Sequence, residues 1–180
     1  MKPVELSERR KILEPEFFDR AADVVARDLL GVSLVRRLAA GDVAFAISET
    51  EAYLGAHDRA CHSSRGRTAR TEKLFGPPGT LYVYLVYGLH LLLNVVTGPK
   101  GIGGAVLIRS TTRSTGPSRV GKSLDLSLAL NGRFASEATG LWFEDRGAAR
   151  GPIRTAPRVG VDYAGPRWAR RKLRFLLDAS

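Results

Sequence analysis

The chain has 180 residues, enough to bury a core of its own as one domain without covalent staples. One cysteine, Cys61, excludes an internal disulfide and fits a reducing cytoplasm, and the longest apolar run, residues 81–96, is broken by Gly88, His90 and Asn94 and falls short of the roughly 20 residues of a membrane span. The net charge of +10 is lopsided: residues 1–58 carry 8 basic and 11 acidic side chains (−3), residues 59–180 carry 20 and 7 (+13), which arginine-rich composition alone does not produce and which points to a polyanion, nucleic acid first.

Residues 1–12 hold no apolar stretch of signal-peptide length and read as a flexible N-terminus to a single domain spanning 1–180. Asp19 reads as the N-cap of a helix over 20–30, with Ala21, Val25 and Leu29 on one stripe and Gly31 as its stop. A strand over 32–38 and a turn at 39–42 lead to a second strand over 43–53, with Val43, Phe45 and Ile47 on one face. A regular pleat carries Glu49, Glu51 and Tyr53 on that same face, where a buried carboxylate is costly unless used; a bulge near Glu49 reverses the register. Residues 63–80 form a basic loop punctuated by glycine and proline. Strand-like runs follow at 81–86, 89–96 and 105–110, with Tyr87-Gly88 at the tip of a hairpin between the first two. A helix over 122–130, closed by Asn131-Gly132, and short strands beyond Trp142 complete the chain. Strands and helices do not alternate as a parallel sheet requires, so the expected class is α+β: one mixed domain with a curved antiparallel sheet, peripheral helices and a protruding β-hairpin.

Three motifs suggest chemistry and are weak by themselves. "GPSRVGKS", Gly116 to Ser123, fits the phosphate-loop pattern letter for letter, but no strand runs directly into its first glycine, and the one aspartate placed after an apolar strand to hold Mg²⁺, Asp178, sits near the C-terminus. Its milder content is that Arg119, Lys122 and the amides at a helix start can meet a DNA phosphate. His57, Cys61 and His62 are too few for structural zinc, with His90 the only other histidine. Glu49 and Glu51, roughly 6.6 Å apart along a strand, approach the spacing of an inverting sugar hydrolase, and nothing else in the chain supports a carbohydrate site. Tyr82, Tyr84, Asn94 and Arg109 each read singly as packed or paired residues.

Taken in order, "ETEAYLG", His62, "FGPPGTLYVYLVYG", "LNVV", "AVLIR", "GPSRV", "LALNG" and "PRVGVDYAG" resemble the alkyladenine DNA glycosylase family, also called methylpurine (3-methyladenine) DNA glycosylases, from about residue 13 to 177. The resemblance implies a single mixed α/β domain around an antiparallel sheet, without metal or cofactor. It implies that Glu51 is the general base that activates water, with Arg109 fixing that water and carboxylate. Tyr53, His62 and Tyr84 become the aromatic pocket around a flipped base, Asn94 the neighbour of the purine 2-position, and Tyr87 the wedge that fills the vacated stack. Glu49 reads as structural. In the family, "AVLIR" continues into a longer segment; here "STTRST" runs almost directly into Gly116. The expected activity is hydrolysis of the N-glycosidic bond of alkylated purines after base flipping, leaving an abasic site without lyase action. The expected partner is damaged double-stranded DNA, met by a monomer in the cytoplasm. Arg65, Arg67, Arg70 and Lys73, with Arg119 and Lys122, are the expected backbone contacts. The alternative is a non-catalytic nucleic-acid-binding domain with the same basic face, which has no use for Glu51.

Overall fold

The computed structural model describes residues 10–148 and 150–178. Along the chain run β1 (Lys11–Ile12), α1 (Pro15–Phe18), α2 (Ala22–Asp28), β2 (Ser33–Leu38), β3 (Gly41–Tyr53), β4 (Leu81–Val86), β5 (His90–Thr97), β6 (Gly104–Thr111), α3 (Pro117–Ser123), β7 (Leu141–Asp145), β8 (Ile153–Ala156), α4 (Pro166–Ala169) and β9 (Arg174–Leu177). All pairings are antiparallel, in the order β1-β7-β2-β3-β6-β5-β4, with β9 joining β3 and β8 joining β9. The class is therefore α+β, as the pattern of elements implies. Of the N-terminal segment, residues 1–9 lie outside the described residues, while Lys11 and Ile12 are paired with β7 rather than loose.

Period-two alternation gives the central strands two different faces. Leu81 and Val83 of β4, Leu93 and Val95 of β5, and Val106 and Ile108 of β6 join α2 and α3 in one buried core with Phe18, Val25, Leu34, Val120 and Phe143. Their neighbours Tyr82, Tyr84, Leu92, Asn94 and Leu107 point the other way and line a cavity. The third long strand, β3, changes sides partway. Ile47 pairs with Thr111, Glu49 with Ser110 and Thr50 with Ile108, so Ser48 on β3 and Arg109 on β6 are each skipped by the ladder. Ile47 and Ala52 both lie in the core, and the Thr50 hydroxyl donates to the Ala26 carbonyl of α2 at 2.8 Å. Glu49, Glu51 and Tyr53 thus do not continue the face of Ile47. The extra residue reverses the strand and sends them to the cavity side.

The helices differ from the sequence reading. Pro15 starts a short α1, Asp19 ends it, and α2 begins after Ala21, so Asp19 is a C-cap and not the N-cap of a longer helix. The helix expected over 122–130 instead starts at Pro117 and stops at Ser123; Asp125 turns back at φ 45°, and Leu128–Leu130 forms only a 3₁₀ turn. Leu126 and Leu130, four residues apart, imitate a helix face, while Gly116-Pro117 marks the true start. In "GPSRVGKS" the helix begins at the first glycine and Lys122 and Ser123 fall in its last turn, the reverse of a phosphate loop. Gly121 is required there: a Cβ would lie 2.0 Å from the Leu91 carbonyl oxygen, so only glycine lets α3 rest on β5.

Candidate active site

The sheet face turned from α2 and α3, together with the loop at Ala60–His62 and the segment at Val159–Tyr163, encloses a cavity of about 670 Å³, within the range of small-ligand pockets. The cavity brings together Glu51, Tyr53, His62, Tyr84, Asn94 and Arg109, and Arg70 and Tyr87 reach its edge.

Glu51 has no exposed surface. Its Oε1 accepts the Val159 backbone N–H at 2.8 Å and lies 3.4 Å from Arg109 Nη1, and its Oε2 accepts the Tyr53 hydroxyl at 2.9 Å. Burial still pushes this carboxyl above its ordinary range, against the opposing pull of Arg109, the Val159 amide and Tyr53. The pull of Arg109 does not bring Glu51 below its ordinary range, because desolvation is the larger effect. Arg109 is itself shared: its Nε donates to Glu49 Oε1 at 3.2 Å. Glu49 also accepts Arg174 Nη1 at 2.8 Å and the Ser110 hydroxyl at 2.6 Å. Burial raises Glu49 too, but Ser110, Arg174 and Arg109 together hold it below the usual range. The two carboxylates of "ETE" are driven apart: one is a locked anion, the other a base of raised strength.

The opposite wall is aromatic. His62 meets Tyr84 at 4.8 Å between ring centroids, Tyr82 and Tyr84 are 5.2 Å apart, and His62 Nδ1 is 3.1 Å from the Tyr82 hydroxyl. Burial, with Arg70 and Arg65 adding to it, lowers His62 to about 4, so the ring is neutral at physiological pH. Burial also raises the phenols of Tyr53 and Tyr84, which stay protonated. Arg70 lies over the Tyr84 ring at 5.6 Å. Asn94 is buried and donates to the Tyr82 carbonyl at 3.3 Å.

Tyr87 stands at the β4–β5 tip with 90% of its surface exposed and a left-handed backbone, φ 52°, a conformation that costs a non-glycine residue on the order of 1 kcal/mol or more. Leu89 beside it is 78% exposed. Arg65, Arg67, Arg70 and Lys73 are exposed; of these, Arg67 is engaged by Glu72 at 3.3 Å and by the Phe75 ring. Arg119 and Lys122 lie apart from the cavity, in a shallow groove beside His90. Cys61 accepts the Ser63 hydroxyl and faces the Gly103 carbonyl, and among the described residues no three His, Cys, Asp or Glu side chains are grouped to hold a metal ion. No helix among the described residues is long and apolar enough to cross a membrane.

Sequence reading misses the support behind the pocket. Asp58 and Arg158 are fully buried and pair through both oxygens, at 2.5 and 3.0 Å. Asp58 also accepts the amides of Leu54 and Ala60, and Arg158 donates to the Ala52 carbonyl and lies 4.8 Å from the Tyr53 ring centroid. This pair ties the loop after β3 to the segment that supplies the Val159 amide. The only available signal is "PRVGVDYAG", which matches as a stretch without marking any residue of it.

A model of the family described as Methylpurine-DNA glycosylase (MPG) matches residues 16–115. The chain is 44% identical over 174 residues to a protein of Methanocella arvoryzae, with 86% of each chain covered. It is 43% identical over 172 residues to one of Myxococcus xanthus, covering 91% of this chain and 88% of the relative. It is 42% identical over 175 residues to one of Legionella pneumophila strain Paris, covering 93% and 94%. All three bear the name "Putative 3-methyladenine DNA glycosylase".

Proposed function

The chain belongs to the methylpurine-DNA glycosylase family, and from that premise we propose that it hydrolyses the N-glycosidic bond of alkylated purines, 3-methyladenine among them, in double-stranded DNA. The observation that carries this reading is Glu51: a fully buried carboxylate on the wall of a cavity that also gathers the rings of Tyr53, His62, Tyr82 and Tyr84. A module that only bound DNA would gain nothing from an anion there.

A base inside a duplex is out of reach, so the nucleotide must be rotated out and its stacking replaced. Tyr87, strained and exposed on a rigid hairpin, is suited to fill the gap. Alkylation at N3 or N7 makes the purine a cation, which weakens its bond to C1′. The neutral rings of Tyr53 and Tyr84 favour that cation by about 0.5–2 kcal/mol per contact, and a neutral His62 does not repel it. Asn94, buried on the cavity lining, is the side chain this reading sets against a substituent at the purine 2-position. Each Glu51 oxygen accepts one short hydrogen bond from Val159 or Tyr53, leaving a lone pair free to accept from water. As the C1′–N bond breaks, Glu51 takes a proton from that water, its oxygen bonds to C1′, and the purine leaves with the electron pair, neutral. Arg109 steadies the carboxylate. No lysine is assigned as an amine nucleophile, so the product is an abasic site on an intact strand. DNA as substrate puts the working location in the cytoplasm, on the nucleoid.

The test is base release from duplexes that carry alkylated purines. Wild type should free the base and leave a strand that breaks only after alkali. Glu51→Gln should reduce release to background while duplex binding holds or tightens, because a charge facing phosphates is removed. Near wild-type release by that variant would sink the assignment, and nicking without alkali would sink the monofunctional part alone.

A further inference from the structure

The C-terminal part of the fold carries charge that the pocket does not use. Arg167, Arg170, Arg171 and Lys172, in "PRWARRK", are all exposed, and so is Arg59 on the loop before Ala60. Among the described residues none of these five meets a carboxylate, whereas Arg20, Arg37, Arg67, Arg146 and Arg154 elsewhere on the surface each do. Asp162 is the one acidic residue between 159 and 173.

Packing fixes where this charge lies. Trp168 and Ala169 of α4 rest on the small cluster of Ala60, Val161 and Ala164, which also receives Tyr53. His57 meets the Trp168 ring edge-on at 6.0 Å, and Arg171 covers it at 5.0 Å. Helix α4 is thus anchored behind the wall that Tyr53 provides. In the sheet, β6 and β5 separate β3, which bears Tyr53, from β4, which bears Tyr84. Three strand spacings put about 14 Å along the sheet between those two strands. Arg70 and the β4–β5 hairpin occupy the Tyr84 side. Unpaired positive charge therefore flanks the pocket on both sides.

Resting on the reading of the chain as a DNA glycosylase, we infer that Arg59, Arg167, Arg170 and Lys172 form a phosphate-contact surface for the duplex arm that leaves the pocket on its Tyr53 side. Extracting one nucleotide deforms the backbone on both flanks, and an arm left unheld would follow the nucleotide instead of yielding it. The hairpin and Arg70 hold one arm; the α4 surface holds the other. Exposed cations on a fixed scaffold suit this use, because backbone contacts set register without reading sequence.

The test uses the full chain with Arg167→Gln, Arg170→Gln and Lys172→Gln combined, leaving Arg171 on its tryptophan. Binding of undamaged duplex is followed by fluorescence anisotropy as salt rises. The slope of log affinity against log salt should fall by roughly 2 to 3 units, and Arg59→Gln, on a separate loop, should remove about one more. Two further duplexes carry an abasic-site analogue close to one end or close to the other. The triple variant should bind one of them more weakly than wild type does, and the other equally well. An unchanged salt slope overturns the inference, as does the same loss on both end-placed duplexes, which would report net charge and not a contact. Binding of phosphatidylglycerol vesicles that the variant loses while keeping its DNA slope would reassign the surface to a membrane. Because these readouts need no excision, absence of base release by wild type would overturn the glycosylase reading and leave this result standing.

Discussion

Glu51 keeps a raised proton affinity even with both oxygens hydrogen-bonded, and the direction of that shift has two measurable consequences. If the reaction needs the anion, the acid limb of single-turnover excision lies above the ordinary range of a glutamate, not within it. Arg109→Gln removes the largest opposing influence, so its acid limb should move to still higher pH, with excision recovering as the pH rises. A limb that moves to lower pH, or stays in place, contradicts the role given to Arg109. The second consequence is for stability. A carboxyl whose native affinity for a proton exceeds its unfolded one is favoured at low pH; its ionisation costs stability as pH climbs from the unfolded value to the native one, and the whole cost is present above. Glu51→Gln should therefore melt no lower than wild type at neutral pH while excision is lost, a result that separates catalytic failure from misfolding.

At the scale of elements, the hairpin tip stores strain where it is most exposed. Tyr87 holds a left-handed backbone with a bulky side chain, and asparagine tolerates that conformation better. Tyr87→Asn should leave the unfolding midpoint unchanged or raise it by an amount worth up to about 1 kcal/mol. Excision from duplex DNA should fall by about tenfold or more, least for mispaired lesions that are already loosely stacked. Equal loss on single-stranded substrate would place the residue in the pocket and not at the stack. The hairpin is legible in the sequence because residues 81–96 form strand-like apolar runs that Tyr87-Gly88 interrupts at a turn. Helix α3 is not, since Leu126 and Leu130 keep a helical spacing beyond its end, past the turn that Asp125 closes with a positive φ. Nor does alternation reveal where β3 changes sides, because a skipped residue is a property of the pairing and Ser48 looks like any polar strand residue.

At the scale of the molecule, the pocket is a meeting of distant parts. Asp58 and Arg158 lie 100 residues apart in the chain, and no local pattern marks a partner that far away, which is why the tyrosines and Glu51 can be picked out in the sequence and their support cannot. Removing one member strands the other's charge in the interior, a loss of about 3–5 kcal/mol. Asp58→Ala should accordingly lower the chemical-denaturation free energy by that order, and in whatever fraction stays folded the Val159 amide should be less well held against Glu51. An Asp58→Ala protein as stable as wild type would mean that the pair is not a strut of the site.

The paired skips at Ser48 and Arg109 have a consequence for heredity. Before Ser48 the inward positions of β3 are odd-numbered, and after it they are even-numbered. A lineage can therefore trade side chains freely around this point, but while four positions separate Ile47 from Glu51 the skip has to stay: without it a regular pleat turns Glu51 and Tyr53 toward α2, whereas one residue fewer makes the skip unnecessary and leaves them on the cavity side. What descent has to preserve in this stretch of β3 is the agreement between a count and an irregularity.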